Sequence, residues 1–263
     1  MSDRVSITIE NHVADVMLDR AEKFNALDLD MFRALDAAAR HVAGETGVRA
    51  VVLHGAGDNF CAGIDLAMLQ GGGADAVGAL LGPVDGSPAN LAQRAAYAWR
   101  ELPMPVVCAI HGMAFGGGFQ IAMGADLRIA SPNAQLSVME SKWGIVPDMG
   151  ITATLCNVVA PDVAKELAFS ARVFGADEAL QLGIVTRLED DPLAAAQQLA
   201  AQIAERSPDA IRGIKRLVDA AAHLPEDAAL ALEAKIQSGI LGTANQAEAV
   251  RANLEKRKPN FDD

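Results

Sequence analysis

His111-Gly112-Met113-Ala114-Phe115-Gly116-Gly117-Gly118-Phe119-Gln120 is the stretch from which the fold can be read. It follows Pro105–Ile110, a short continuous apolar run of the kind expected for a strand buried on both faces. It leads into a helix candidate, Gly117–Gly124. The result is a strand–turn–helix junction whose small residues let a ligand approach the backbone. Free N–H groups and the positive end of the helix dipole lie at such a helix start. The junction therefore suits a developing oxyanion. An earlier stretch has the same form. The run Val48–Leu53 precedes Asn59-Phe60-Cys61-Ala62-Gly63-Ile64-Asp65-Leu66, and a helix candidate follows. Each segment alone is weak evidence, because a glycine run is more often a flexible turn and this one is not the GxGxxG dinucleotide pattern.

Outward from these junctions the chain alternates. Val5–Glu10 and Val13–Leu18 read as two strands joined at Asn11-His12, a hairpin signal. Leu29–Val42 and Asn90–Glu101 read as helices, and Leu127–Ala130 as a further short strand. Strands and helices in rough alternation predict an α/β fold with helices layered over sheet. Past a break near Thr186–Pro192 the pattern turns helical, with segments at 192–205, 208–222, 226–240 and 244–255. These divide the chain into a core over 1–190 and a helical region over 191–263. The apolar stripes of that region need a core of their own or another subunit to pack on. Gln70–Ala89, rich in Gly and Pro, reads as a long mobile loop with a short helical turn at Asp75–Leu81.

Composition narrows the function. The 263 residues are 51% apolar and 21% charged, enough for one large core. No apolar run reaches the roughly 18 residues of a membrane span, so no membrane partner is expected. Nothing before Val5 resembles a signal peptide. Three widely spaced cysteines, Cys61, Cys108 and Cys156, suit reduced thiols in a cytoplasm and no Cys-based metal site. A net charge of −12 excludes nucleic acid as a partner unless a basic stripe offsets it. An anionic small molecule would need a local cationic patch. The densest is Lys256-Arg257-Lys258.

Taken together, the two glycine segments resemble the crotonase (enoyl-CoA hydratase/isomerase) superfamily. So do Arg20-Ala21-Glu22-Lys23-Phe24-Asn25-Ala26-Leu27, Ala134-Gln135-Leu136, Gly144-Ile145-Val146-Pro147-Asp148 and the tail 255–261. The resemblance covers nearly the whole chain. It implies a spiral of ββα units with a C-terminal helical region that assembles homotrimers, often paired into hexamers. The substrate is an acyl-CoA thioester, and no separate cofactor is needed. The resemblance also implies an oxyanion hole from the backbone N–H groups of Ile64 and Gly117. Lys23, Asn25 and Ala62 would border CoA, and Lys256 of a neighbouring subunit would reach a CoA phosphate.

The family's hydratases activate water with two glutamates. One matches Glu140; the other position holds Gln120, whose carboxamide hydrogen-bonds but takes up no proton at useful pKa. One carboxylate suffices to carry a proton between two carbons, as in the family's enoyl-CoA isomerases. The leading expectation is therefore double-bond migration through Glu140. The alternatives are a hydratase with water held by Glu140 and Gln120, and a non-catalytic acyl-CoA-binding or scaffold protein. Asp148 has two readings: the second carboxylate of a dienoyl-CoA isomerase, or the N-cap of a helix over Met149–Thr152. His111 and Trp143 are expected to be structural, Cys61 to be no nucleophile, and Asp65 and Asp126 to fix turns or pair locally.

Overall fold

Asn11 and His12 both take positive φ, 49° and 66°, which is the two-residue turn that matches strand twist. That turn sets β1 (Val5–Glu10) antiparallel to β2 (Val13–Leu18), with Glu10 opposite Val13. Alternation in β2 buries Ala14, Val16 and Leu18. The computed structural model describes residues 3–71 and 74–263; Met1, Ser2, Gly72 and Gly73 lie outside it.

β3 (Ala50–Gly55), β4 (Val106–Ile110), β6 (Leu127–Ala130) and β9 (Arg187–Leu188) extend the sheet in parallel, giving the order β1-β2-β3-β4-β6-β9. A second sheet holds β5 (Met113–Phe115), β7 (Gln135–Ser137) and β8 (Phe174–Gly175). At Gly112, φ +54°, the chain leaves β4 and enters β5; a Cβ there would stand 2.5 Å from the Asn59 side-chain oxygen. α5 (Gly117–Met123) follows directly. The preceding turn repeats the scheme in reduced form. After β3, Cys61 makes one parallel bridge to Ala114, and the chain then enters α2 (Leu66–Gly71). Strand in one sheet, strand in the other, helix: this is the ββα spiral.

α1 (Leu29–Gly44) connects β2 to β3; its N-cap Asp28 accepts the Met31 N–H at 2.8 Å. α4 (Leu91–Glu101) leads into β4 from a full capping box between Asn90 and Gln93. Between α2 and α4 the expected long loop is only partly a loop. Asp75–Leu81 belongs to an eight-residue helix, α3 (Ala74–Leu81), because Ala and Leu carry the turn past Gly78. α6 (Pro161–Ser170) and α7 (Ala176–Gln181) complete the spiral.

The four late helices are α8 (Pro192–Ala204), α9 (Pro208–Ala221), α10 (Glu226–Ile240) and α11 (Ala244–Glu255). They do not form a uniform outer block. Ala196 and Ala200 of α8 are fully buried against Ala50, Val52, Val107, Ala109 and Ile129, so α8 is the cover of the first sheet. Its apolar stripe is spent on its own chain, contrary to the expectation of packing between subunits. α10, by contrast, buries no residue, and Ile214 and Val218 of α9 and Leu254 of α11 stand in solvent.

Candidate active site

A cavity of about 880 Å³ lies where the two glycine junctions meet. Its wall draws on 22–26, 62–66, Gly116–Gly117 and the turn region 139–149, and is closed by Phe32, Leu80, Leu81 and Ala92. Gly63, φ +91°, presses against the second junction: a Cβ there would sit 2.6 Å from Phe115 O and 3.5 Å from Gly117 N. Gly116, at φ +51° and ψ −117°, occupies a region that side chains other than hydrogen do not tolerate.

Both backbone amides expected to face an oxyanion are free of protein acceptors among the described residues. Leu27 N–H donates to Gly63 O at 2.8 Å, and Asp65 N–H donates to Leu27 O at 2.9 Å. Those bonds straddle Ile64 and leave its own N–H unspent. Gly116 N–H donates to Ser137 O, and Gln120 N–H to Gly116 O, while Gly117 N–H, at the first position of α5, has no intrahelical acceptor. Both residues line the cavity.

Glu140 opens a single 3₁₀ turn, Glu140–Trp143, and is only 6% exposed. Its Oε1 accepts from Gln120 Nε2 at 2.6 Å, and its Oε2 has no partner among the described residues. Burial pushes its carboxyl above the ordinary 4.5, the backbone N–H of Glu140 and the Gln120 amide draw it partly back, and the Asp148 charge adds to the rise. Asp148 lines the same cavity, and burial raises its carboxyl too. No helix begins after Asp148. Residues 149–154 form turns, and the next helical turn, Leu155–Asn157, follows Thr154, so the N-cap role is not realised.

Several expected site residues sit elsewhere than the spacing implied. Gln120 is 1% exposed and does not line the cavity; it stands behind Glu140, its Oε1 accepting Met149 N–H at 2.9 Å. Asn25 is fully buried, with its carboxamide wholly occupied by Ala56 O, Asn59 O, Phe60 O and Arg20 N–H. It braces the loop and has nothing left for a ligand. Lys23 and Ala62 line the cavity. Lys256 is exposed at the end of α11, outside the cavity wall. Its two basic neighbours are engaged by acids: Arg257 by Glu248 and Glu255, Lys258 by Glu205.

Trp143 lines the cavity at its rim, 43% exposed, rather than packing in the core. Sequence reasoning missed Met149 and Phe32 as wall residues: Met149 sits in an irregular segment whose spacing does not say which surface it faces, and Phe32 on α1 reads as an ordinary core residue of an amphipathic helix. Cys61 is buried with its thiol pushed up to about 12, which makes it inert as a nucleophile. His111 Nε2 meets Gly57 O at 2.9 Å, a structural contact. Asp65 pairs with Arg20 at 2.8 Å, and Arg20 also binds Ala26 O, pinning 20–26 to the first glycine junction. Asp126 pairs over a long range, with Lys215 at 2.8 Å.

The family described as enoyl-CoA hydratase/isomerase matches residues 8–263. The chain is 32% identical to a short-chain-enoyl-CoA hydratase of Clostridium acetobutylicum, covering 97% of this chain and 96% of that one. It is 33% identical to the mitochondrial Delta(3,5)-Delta(2,4)-dienoyl-CoA isomerase of Mus musculus, covering 94% and 78%. A solved enoyl-CoA hydratase structure from Bacillus anthracis superposes with a TM-score of 0.90 at 29% identity over 98% of both chains.

Proposed function

The chain belongs to the enoyl-CoA hydratase/isomerase family, and from that premise we propose that it moves a double bond within an acyl-CoA thioester. The thioester oxygen is received by the Ile64 and Gly117 amides. Glu140 takes a proton from one carbon of the acyl chain: the C–H bond breaks, an O–H bond forms, and the electron pair delocalises into the thioester as an enolate. The two amides stabilise that charge. The proton then passes from Glu140 to another carbon, and the double bond has moved with no net oxidation and no added water. CoA enters as part of the substrate, with Lys23 and Ala62 beside it. In a trimer or hexamer, Lys256 of an adjacent subunit serves its phosphates.

One observation carries this reading. Glu140 lines the cavity with Oε2 unpartnered among the described residues, while the position of the partner acid holds a carboxamide that is buried, bonded to Glu140 and outside the cavity wall. Water addition needs a second group that exchanges protons at the same water, and Gln120 supplies none. A second reading has its own support. Asp148 lines the same cavity and acts electrostatically on Glu140, which suits proton transfer across a conjugated dienoyl chain.

Turnover of 2-enoyl-, 3-enoyl- and 3,5-dienoyl-CoA thioesters by the wild type, Glu140→Gln and Asp148→Asn tests both. Isomerisation of 3-enoyl-CoA lost only in Glu140→Gln supports the single shuttle. Dienoyl turnover lost in both variants supports the pair. Hydration of 2-enoyl-CoA as the dominant wild-type activity would refute the proposal.

A further inference from the structure

A second cavity, of about 550 Å³, shares no wall residue with the first. It lies between α9 and one end of the first sheet. Met123 at the end of α5, Leu127 and Arg128 of β6, Ile203 of α8 and Ile211 of α9 line it. Ile214 and Val218 of α9 also line it and are 56% and 69% exposed, so α9 forms its open side. The wall is mainly apolar, and its volume is of the size that holds a small molecule.

Arg128 is only 7% exposed. Its Nε donates to Ile184 O and its Nη1 to Ala125 O. Nη2 has no acceptor among the described residues and is not sealed within the protein. Because Arg128 lines the cavity, that amino group opens into it. Both bonds go to neutral carbonyls, so no carboxylate is bound to the guanidinium. The other charged groups of the wall balance one another: Lys215 binds Asp126 at 2.8 Å, and Arg100 lies 3.6 Å from Asp219. Asp126 acts on Arg128 electrostatically, but its own bonds are to Lys215 and to Val106 N–H. A single positive charge is left over, in a chain of net charge −12.

We propose that this cavity is a second binding site, for an apolar monocarboxylate whose head accepts from Arg128 Nη2 and whose chain lies along Met123, Leu127, Ile203 and Ile211. A buried charge with no counter-ion is costly, and a carboxylate offsets that cost through a charge-assisted hydrogen bond. The apolar body of such a ligand removes the rest of the wall from water. A phosphate or other polyanion would need a second cation, and Lys215 is already spent on Asp126 and Met104 O. A neutral chain would leave the guanidinium charge as it is. The site is independent of the reaction performed in the first cavity.

Calorimetric titration of the whole protein with octanoate, and with 1-octanol as the neutral analogue, tests this. Octanoate is expected to bind saturably and octanol at least about tenfold more weakly, since it lacks the charge. Arg128→Gln is expected to weaken octanoate about ten- to a hundredfold, the worth of a hydrogen bond between charged groups, and octanol little. That variant also disturbs the bonds to Ile184 O and Ala125 O, so Ile214→Glu carries the comparison if it does not fold. Ile214→Glu leaves Arg128 on its two carbonyls and sets a carboxylate on the open side; octanoate is expected to weaken about tenfold through like-charge repulsion. Octanol binding as tightly as octanoate to the wild type would overturn the inference, as would no saturable octanoate binding up to the millimolar range. So would an octanoate affinity unchanged in Ile214→Glu, because the ligand would then sit elsewhere, in the first cavity above all.

Discussion

Glu140 is held in a form that costs stability. Its folded-state pKa lies above the ordinary 4.5, chiefly through burial. The folded protein therefore keeps this proton to a higher pH than the unfolded chain does. Stability from the group is greatest below pH 4.5 and falls as pH rises through the raised folded value. Glu140→Gln, which removes the charge, is thus expected to equal or exceed the wild type in Tm at pH 8, with the gain vanishing near pH 4. Under the proposed mechanism turnover should meanwhile fall by about 10²–10⁴, the usual worth of one general base, with thioester binding kept because the proposed oxyanion donors are backbone. Thermal scans at the two pH values decide it: a variant less stable at pH 8 than at pH 4, relative to wild type, would contradict the burial argument. Under the proposed mechanism, in which ionised Glu140 takes the proton, the same raised pKa is expected to place the acid limb of the activity profile above the ordinary carboxylate range.

At the scale of elements, α8 ties the late chain to the sheet. Ala196 and Ala200 allow close approach because they carry only a methyl group, and both are fully buried. Ala200→Leu would force three extra carbons into that contact. We expect a loss of about 1–3 kcal/mol, as overpacked cores show, read as a lower denaturant midpoint with an unchanged slope. Stability equal to wild type would mean that α8 is not seated on β3 and β4. Arg49 reinforces the seat from the other side: it binds Asp263 at 2.6 Å and Phe261 O at 2.9 Å, fastening the chain's last residues beside β3. The glycine junctions are equally tied to their surroundings. A Cβ at Gly118 would run into the Cys61 carbonyl and side chain, so the start of α5 and the first junction fit together only with glycine there.

At the scale of the whole molecule, large apolar side chains remain in water: Ile214 and Val218 on α9, Leu230 on α10, Leu254 on α11 and Phe169 on α6. Isolated exposed apolar residues are ordinary; several on successive helices motivate a test for self-association. Sedimentation at micromolar concentration should therefore report a self-associated species, and charge introduced as Leu254→Glu with Val218→Glu should lower its mass. A wild-type monomer would leave those helices without a role. The charge balance fits an anionic substrate only locally. In a chain of net charge −12, Arg257 and Lys258 are paired with acidic neighbours, which leaves Lys256 as the cation of that cluster with no ion pair among the described residues.

The α/β class, the strands within 5–18 and at 127–130, the bounds of the late helices to within a residue, and both glycine junctions are legible in the chain's local pattern. Each depends on local chemistry: apolar period, a two-residue turn, a helix start, or a backbone approach that excludes Cβ. Long-range packing sets the rest: the partners of the Gln120 carboxamide, the bracing role of Asn25, the place of Asp148 in the cavity wall rather than at a helix cap, and the burial of α8 against the first sheet. Gln120 is oriented by Met149, 29 residues later, and Asn25 by carbonyls 31 to 35 residues away. A carboxamide or carboxylate has the same local preferences wherever it stands. What it touches is set by the packing of distant segments, and no spacing within one segment encodes that.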